Sequence, residues 1–180
     1  MEFSGECKRL YDSLKETYNL SKFDKFLTVN PGETFNYTMD IFLLNTKIRV
    51  GNVWIKGNPE EIELYLVQRI HEEHKGVMKQ ILYLIICKAI QLNLPIRFMA
   101  VSNCSSKFCD PTALYKYYNT IGFQRVNGKN DTPNSEKETI AYHTSVETLQ
   151  HIINSLSSED KTRKSRKTRK ARRTRKSRKN

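Results

Sequence analysis

The sequence predicts an α/β domain built on a mixed, mostly antiparallel central sheet flanked by helices, with a disordered basic C-terminal tail. Three observations predict it. Segments of two-residue apolar/polar alternation follow one another across short turns, a long apolar run at three- and four-residue steps comes next, and the charge is segregated. Of 31 Lys and Arg in 180 residues, 13 lie in 161–180, a stretch without a single acid, so the first 160 residues carry 18 bases against 19 acids. The net charge of +12 therefore belongs to the tail. A hydrophobic fraction of 38% supports one packed domain over residues 1–156, with 157–180 as tail. Collagen-like, wholly disordered and disulfide-scaffold classes are excluded.

From residue 4 to 20 the positions Cys7, Leu10, Tyr11, Leu14 and Tyr18 suit one amphipathic helix. Residues 22–29 read either way. Pro31-Gly32 breaks the chain, and 35–42 alternates as a half-buried strand. A second strand, 47–55, is rich in β-branched residues, and Gly57-Asn58-Pro59 turns it into a third, 61–67. Three strands on short turns predict an antiparallel meander. Met78, Ile81, Leu82, Ile85, Ile86, Ala89 and Leu92 then mark a buried helix closed by Leu94-Pro95. Residues 96–101 form a short apolar strand, which after a strand and a helix implies a parallel crossover. Asp110-Pro111 opens a further helix ending at Gly122; 123–126 and 139–144 read as closing strands around a polar loop, and 146–156 as a last helix.

The first eight residues hold no apolar stretch of the length a secretory signal needs, and the longest apolar run, 81–87, falls well short of the ~20 residues of a membrane span. An intracellular protein without integral membrane contact is expected. Cys7, Cys87, Cys104 and Cys109 are too few and too scattered for a disulfide framework, so reduced thiols in a reducing compartment are expected, the nucleus or another nucleic-acid-associated site included. His71 and His74 flank Glu72 and Glu73 without the H-E-x-x-H order or a third ligand, so no metal is assigned. Neither Cys104 nor Cys109 has a His and an acid spaced to make it a nucleophile.

Residues 61–123 run as alternating strand, glycine-containing turn, long apolar helix, buried strand, and a helix ending Tyr117-Tyr118-Asn119-Thr120-Ile121-Gly122-Phe123. This resembles the core of the GNAT superfamily of acetyl-CoA-dependent N-acyltransferases, whose later helix commonly ends L-Y-x-x-x-G-F. The family's phosphate turn, Q/R-x-x-G-x-G/A, falls on Glu73, His74, Lys75, Gly76, Val77 and Met78, which keep one glycine and depart at the first and last positions. Small residues and a helix N-terminus let a pyrophosphate approach the main chain. Met78 is expected to narrow that approach, and Glu72 and Glu73 to oppose it, with Lys75 and Arg69 offsetting them. The short stretch ahead of the first clear strand leaves little room for the family's usual first strand and two helices.

The resemblance implies acetyl-CoA as cofactor, an amine as acceptor, and these sites: backbone of Leu66 and Val67 on the thioester and pantetheine arm; His74, Lys75, Gly76, Val77 and Met78 on the phosphates; Tyr118 as proton donor to the leaving sulfur, with Tyr115 as fallback. A phenol suits that step because its ordinary pKa lies near a thiol's. Glu61 and Glu63, on the strand face opposite Ile62 and Leu64, are the candidate bases, and the same pattern fits two solvated carboxylates.

The tail repeats six triplets of Ser/Thr/Ala, Arg, Lys/Arg over 162–179. Its bases, Arg163, Lys164, Arg166, Lys167, Arg169, Lys170, Arg172, Arg173, Arg175, Lys176, Arg178 and Lys179, cannot bury anything and repel one another, which predicts a disordered arm that binds nucleic acid through its phosphates. No aromatic lies between them, so base stacking and sequence specificity are not expected. The rival expectation is a non-catalytic DNA- or RNA-binding protein with a GNAT-like fold that has lost its cofactor.

Overall fold

The computed structural model describes residues 5–70, 73–74, 76–100, 111–126 and 140–156. In chain order the elements are α1 (Gly5–Lys15), β1 (Tyr18–Asn19), α2 (Ser21–Leu27), β2 (Phe35–Leu43), β3 (Arg49–Gly57), β4 (Ile62–Arg69), α3 (Val77–Leu92), β5 (Ile96–Ala100), α4 (Pro111–Ile121) and β6 (Ile140–Thr144), and a helix α5 over 146–156. The six strands form one sheet in the order β1-β2-β3-β4-β5-β6. The β2-β3-β4 meander is antiparallel, as the two-residue alternation and short turns require. The step from β4 to β5 is parallel because α3 intervenes and carries the chain back along the sheet. Mixed sheet, helical flank and parallel crossover give the α/β architecture that the sequence predicts.

Paired residues of β4, β5 and β6 (Ile62, Leu64, Ile96, Phe98, Tyr142, Thr144) are buried together on one face of the sheet. Helix α3 is packed nearly all round, with Val77, Met78 and every residue from Ile81 to Ala89 buried, which is why its sequence reads as continuously apolar. The exception in type is Lys88, wholly buried, whose ammonium donates to the Leu27 carbonyl at 2.7 Å and to Gln91 Oε1 at 3.2 Å. It caps the C-terminal end of α2, where helix carbonyls lack partners and the dipole favours a cation. Burial lowers the Lys88 pKa, and Glu33 acts against that.

The N-terminal region differs from its expectation. The single helix over 4–20 ends at Lys15, residues 18–19 pair with β2, and the ambiguous 22–29 stretch holds α2, so two helices and a strand do fit before β2. Tyr11 ties them together by donating its hydroxyl to Asp24 Oδ1 at 2.7 Å. The expected strand over 123–126 is reduced to one bridge, Arg125 to Tyr142, with flanking bonds from Val126 N–H to the Ala141 carbonyl and His143 N–H to the Gln124 carbonyl.

The expectation of four reduced thiols is corrected as well. Cys7 of α1 and Cys87 of α3 form a disulfide, across 80 residues of sequence and 6.0 Å between Cα atoms. Spacing along the chain carries no information about such a pair, since the contact depends on how α1 lies against α3. Cys104 and Cys109 lie outside the described residues. No helix among the described residues is long and apolar enough to cross a membrane.

Candidate active site

The ladder between β4 and β5 holds three pairs, Ile62 with Ile96, Glu63 with Arg97 and Leu64 with Phe98, although β4 runs on to Arg69 and β5 to Ala100. The two strands therefore leave each other after Leu64. The cause lies on the other side of β4. Against β3, Leu64 pairs with Ile55 and Leu66 with Trp54, so Tyr65 is an extra residue, a β-bulge. A bulge bends its strand and ends regular pairing. Leu66 and Val67, expected on the thioester, follow the bulge along the diverging part of β4.

After β4 the chain turns into α3 through Gly76, which adopts φ +88° at the N-cap, a left-handed conformation open to glycine. Among the described residues, a Cβ built on Gly76 meets nothing within 4 Å, so the main chain there is approachable, and no side chain caps the helix. Open backbone at a helix N-terminus beside diverging strands fits a diphosphate-bearing thioester such as acetyl-CoA. Val77 and Met78 point the other way. Met78 is 6% exposed and belongs to the core cluster, so the side chain expected to narrow the turn packs beneath it. His74 faces Tyr18 of β1, ring edge to ring face at 5.9 Å, with Nδ1 3.4 Å from the hydroxyl. Glu73 is exposed. Lys75, His71 and Glu72 lie outside the described residues.

Tyr118 sits half-buried on α4 among Phe98, Phe123, Tyr142 and Tyr117, with centroids 4.7, 6.0, 5.4 and 5.2 Å away. Its motif has a local explanation besides chemistry. Gly122 takes φ +108°, its N–H and that of Phe123 both return to the Tyr118 carbonyl, and Phe123 enters the core, which is a helix C-cap. A Cβ on Gly122 would lie 3.0 Å from Ile152 of α5. Burial pushes the Tyr118 phenol well above its ordinary pKa, with Tyr117 and Tyr142 adding to the shift. That revises the argument from matched pKa values: proton transfer to a thiolate becomes more costly by ~1.4 kcal/mol per pKa unit, and a neutral hydrogen-bond donor is the role this environment favours. Tyr115 is buried, with Arg125 5.5 Å from its ring centroid.

Glu61 and Glu63 stand on the other face of the sheet. Glu61 is 3.6 Å from the Arg97 guanidinium, and Glu63 accepts the Tyr65 hydroxyl at 2.5 Å. The strand ladder thus separates the candidate donor Tyr118 from both candidate bases. It does bring Glu63 within one bulge of the place where β4 and β5 part.

Two features went unread in the sequence. Tyr142 is fully buried, stacked on Phe98 at 4.6 Å, and its hydroxyl has no hydrogen-bond partner among the described residues. Its pKa is pushed up to about 12, by burial first. On the open face, Trp54 and Tyr65 stack at 4.8 Å while remaining 38% and 47% exposed. Alternation in β3 and β4 indicates which face each occupies; their meeting depends on the bulge.

No family model matches the sequence, and no curated protein matches it. Solved structures do. FdhC, an apo nucleotide-linked sugar GNAT, aligns at 13% identity over 87% of this chain and 91% of its own, with a TM-score of 0.49. An acetyltransferase from Bacillus cereus aligns at 12% identity over 81% of this chain and 96% of its own, TM-score 0.45. A putative acetyltransferase from Agrobacterium tumefaciens aligns at 14% over 71% and 82%, TM-score 0.45. The architecture itself is defined by the strand order and the β4-α3-β5-α4 succession described above.

Proposed function

We propose that the chain is an N-acetyltransferase that moves an acetyl group from acetyl-CoA to an amine, and that its basic tail binds nucleic acid. The observation that carries the first part is the parting of β4 and β5 after Leu64 and Phe98, directly ahead of the open turn at Gly76. When bound, acetyl-CoA supplies an activated acyl carbon as a thioester. A backbone N–H of the Leu66–Val67 stretch, on the side of β4 turned away from β3, would orient its carbonyl and stabilise the negative charge that grows there. As the carbon–sulfur bond is exchanged for a carbon–nitrogen bond, Tyr118 would hydrogen-bond the sulfur as it leaves as thiolate, and Glu63 would take, directly or through water, the proton the amine nitrogen gives up. Donor and base then act from opposite faces of the sheet through the gap between the strands.

The test is a thermal-shift titration of the full chain with acetyl-CoA, since a ligand that binds only the folded state stabilises it by about 2.7 kcal/mol at a hundredfold excess over Kd. A rising midpoint supports the reading; none across millimolar ligand rejects it. Tyr118→Phe is expected to slow amine-dependent thiol release by about a hundredfold with acetyl-CoA affinity unchanged.

A second reading, a nucleic-acid-binding protein without catalysis, is favoured by the exposed Glu73 carboxylate in the turn. Glu73→Gln discriminates between them: a working turn gains cofactor affinity, and a lost one shows none before or after. The tail proposal rests on sequence, because 157–180 lie outside the described residues. Deleting 161–180 is expected to abolish DNA binding whose log affinity falls by about 0.9 per phosphate contacted for each decade of salt.

A further inference from the structure

We propose that the open face of the sheet carries an alkylammonium-binding site formed by Trp54, Tyr65 and Glu63, which the chain's own Lys56 occupies in this structure. The Lys56 ammonium lies 5.4 Å from the Trp54 ring centroid and 4.8 Å from that of Tyr65. Aromatic faces attract cations through their negative quadrupole, and two rings serve better than one. The rings are held in place. Trp54 donates its indole N–H to Asn36 Oδ1 at 3.0 Å, and Tyr65 donates its hydroxyl to Glu63. Glu63 adds a carboxylate in register with Lys56 across β3 and β4.

Charge complementarity selects the occupant. Among the described residues, the other charges near the rings are already paired, Arg97 with Glu61 at 3.6 Å and Asp40 with Arg49 at 3.1 Å, so once Lys56 is set aside the Glu63 anion is the charge beside the rings. That repels phosphate and favours a primary ammonium. A cavity of about 450 Å³ opens alongside, lined in part by Asn36, Lys56 and Glu63, and provides room for whatever carries the amine. Tyr65 is itself the bulge residue and follows the last β4–β5 pair, so the site adjoins the point where β4 leaves β5. In that position the site is the acceptor's subsite, a role that rests on the acyl-transfer reading above; the binding of an ammonium does not.

Trp54 is the sole tryptophan, so its emission reports this site in the full chain. Titration with butylammonium chloride, against sodium chloride at equal ionic strength, is expected to give a saturable change with the amine alone. Lys56→Met removes the internal competitor and is expected to tighten the apparent Kd by roughly three- to tenfold, with Lys56→Gln as the second variant should the first fail to fold; Glu63→Gln is expected to weaken it by a similar factor. Equal responses to the two salts, or an affinity indifferent to residue 56, would overturn the site. A chain that binds butylammonium in this way but not acetyl-CoA would keep the ammonium site and lose the acyl-transfer reading, so the two failures are told apart.

Discussion

The two faces of the central sheet follow different rules. On one, Ile62, Leu64, Phe98 and Tyr142 pack into a core in which aromatic rings touch at 4.6 to 5 Å. On the other, Trp54, Lys56, Glu61, Glu63, Tyr65 and Arg97 form a thin layer of ring stacks and ion pairs that remains in contact with water. The same strands supply both, since alternate residues point to opposite sides. The packed face holds the fold, and the wet face is free to vary its chemistry. The gap beyond Leu64 is where the two meet, and the proposed reaction would draw its donor from one side and its base from the other.

Substitutions measure the asymmetry. Phe98→Ala, which empties the centre of the packed face, is expected to cost about 3–5 kcal/mol in urea unfolding. A loss below about 1 kcal/mol would mean that the aromatic cluster is not a core. Cys7→Ala, or reduction of the Cys7–Cys87 bond, is expected to remove about 2–4 kcal/mol, because the crosslink closes a loop of 80 residues. An unchanged midpoint under dithiothreitol would contradict the pairing. Tyr142→Phe should act in the opposite direction and stabilise by about 1 kcal/mol, since it deletes a buried hydroxyl with no partner among the described residues.

Alkaline unfolding sharpens that last contrast. The Tyr142 pKa is raised from an ordinary 10.0 to about 12, so above pH 10 the unfolded chain releases a proton that the folded chain retains. Its contribution is fully present below pH 10 and is lost as pH rises towards 12. Phenylalanine at 142 should flatten that part of the stability curve. The smallest effects are expected on the open face, where Glu61→Gln should change stability by no more than about 0.5 kcal/mol, because its Arg97 partner is exposed and the contact is a long 3.6 Å.

The meander, α3 and the buried β5 were legible because each has a clear period and a turn residue at its end. The disulfide, the capping role of Lys88 and the stack of Trp54 on Tyr65 were not, because each joins residues that only tertiary register brings together. Lys88 shows why: a charge inside an apolar helix reads as one solvent-facing position, yet it faces the Leu27 carbonyl of α2. Within the candidate site, the resemblance points to Tyr118 through its motif and to Leu66 and Val67 through the central strand, and the roles of all three are proposals. The side chain of Met78 could not, since a helix that is apolar all round does not reveal which way its first turn faces. The basic tail announces itself through composition alone, and its partner is a proposal that composition supports.

The central claim is that the opened strand pair and the Gly76 turn together hold acetyl-CoA. Amide hydrogen exchange of the full chain with and without saturating acetyl-CoA tests it residue by residue. Slowed exchange concentrated at the Val67 amide and the first turn of α3 is the predicted result. Binding that leaves those amides unprotected, or protects others in their place, would contradict it.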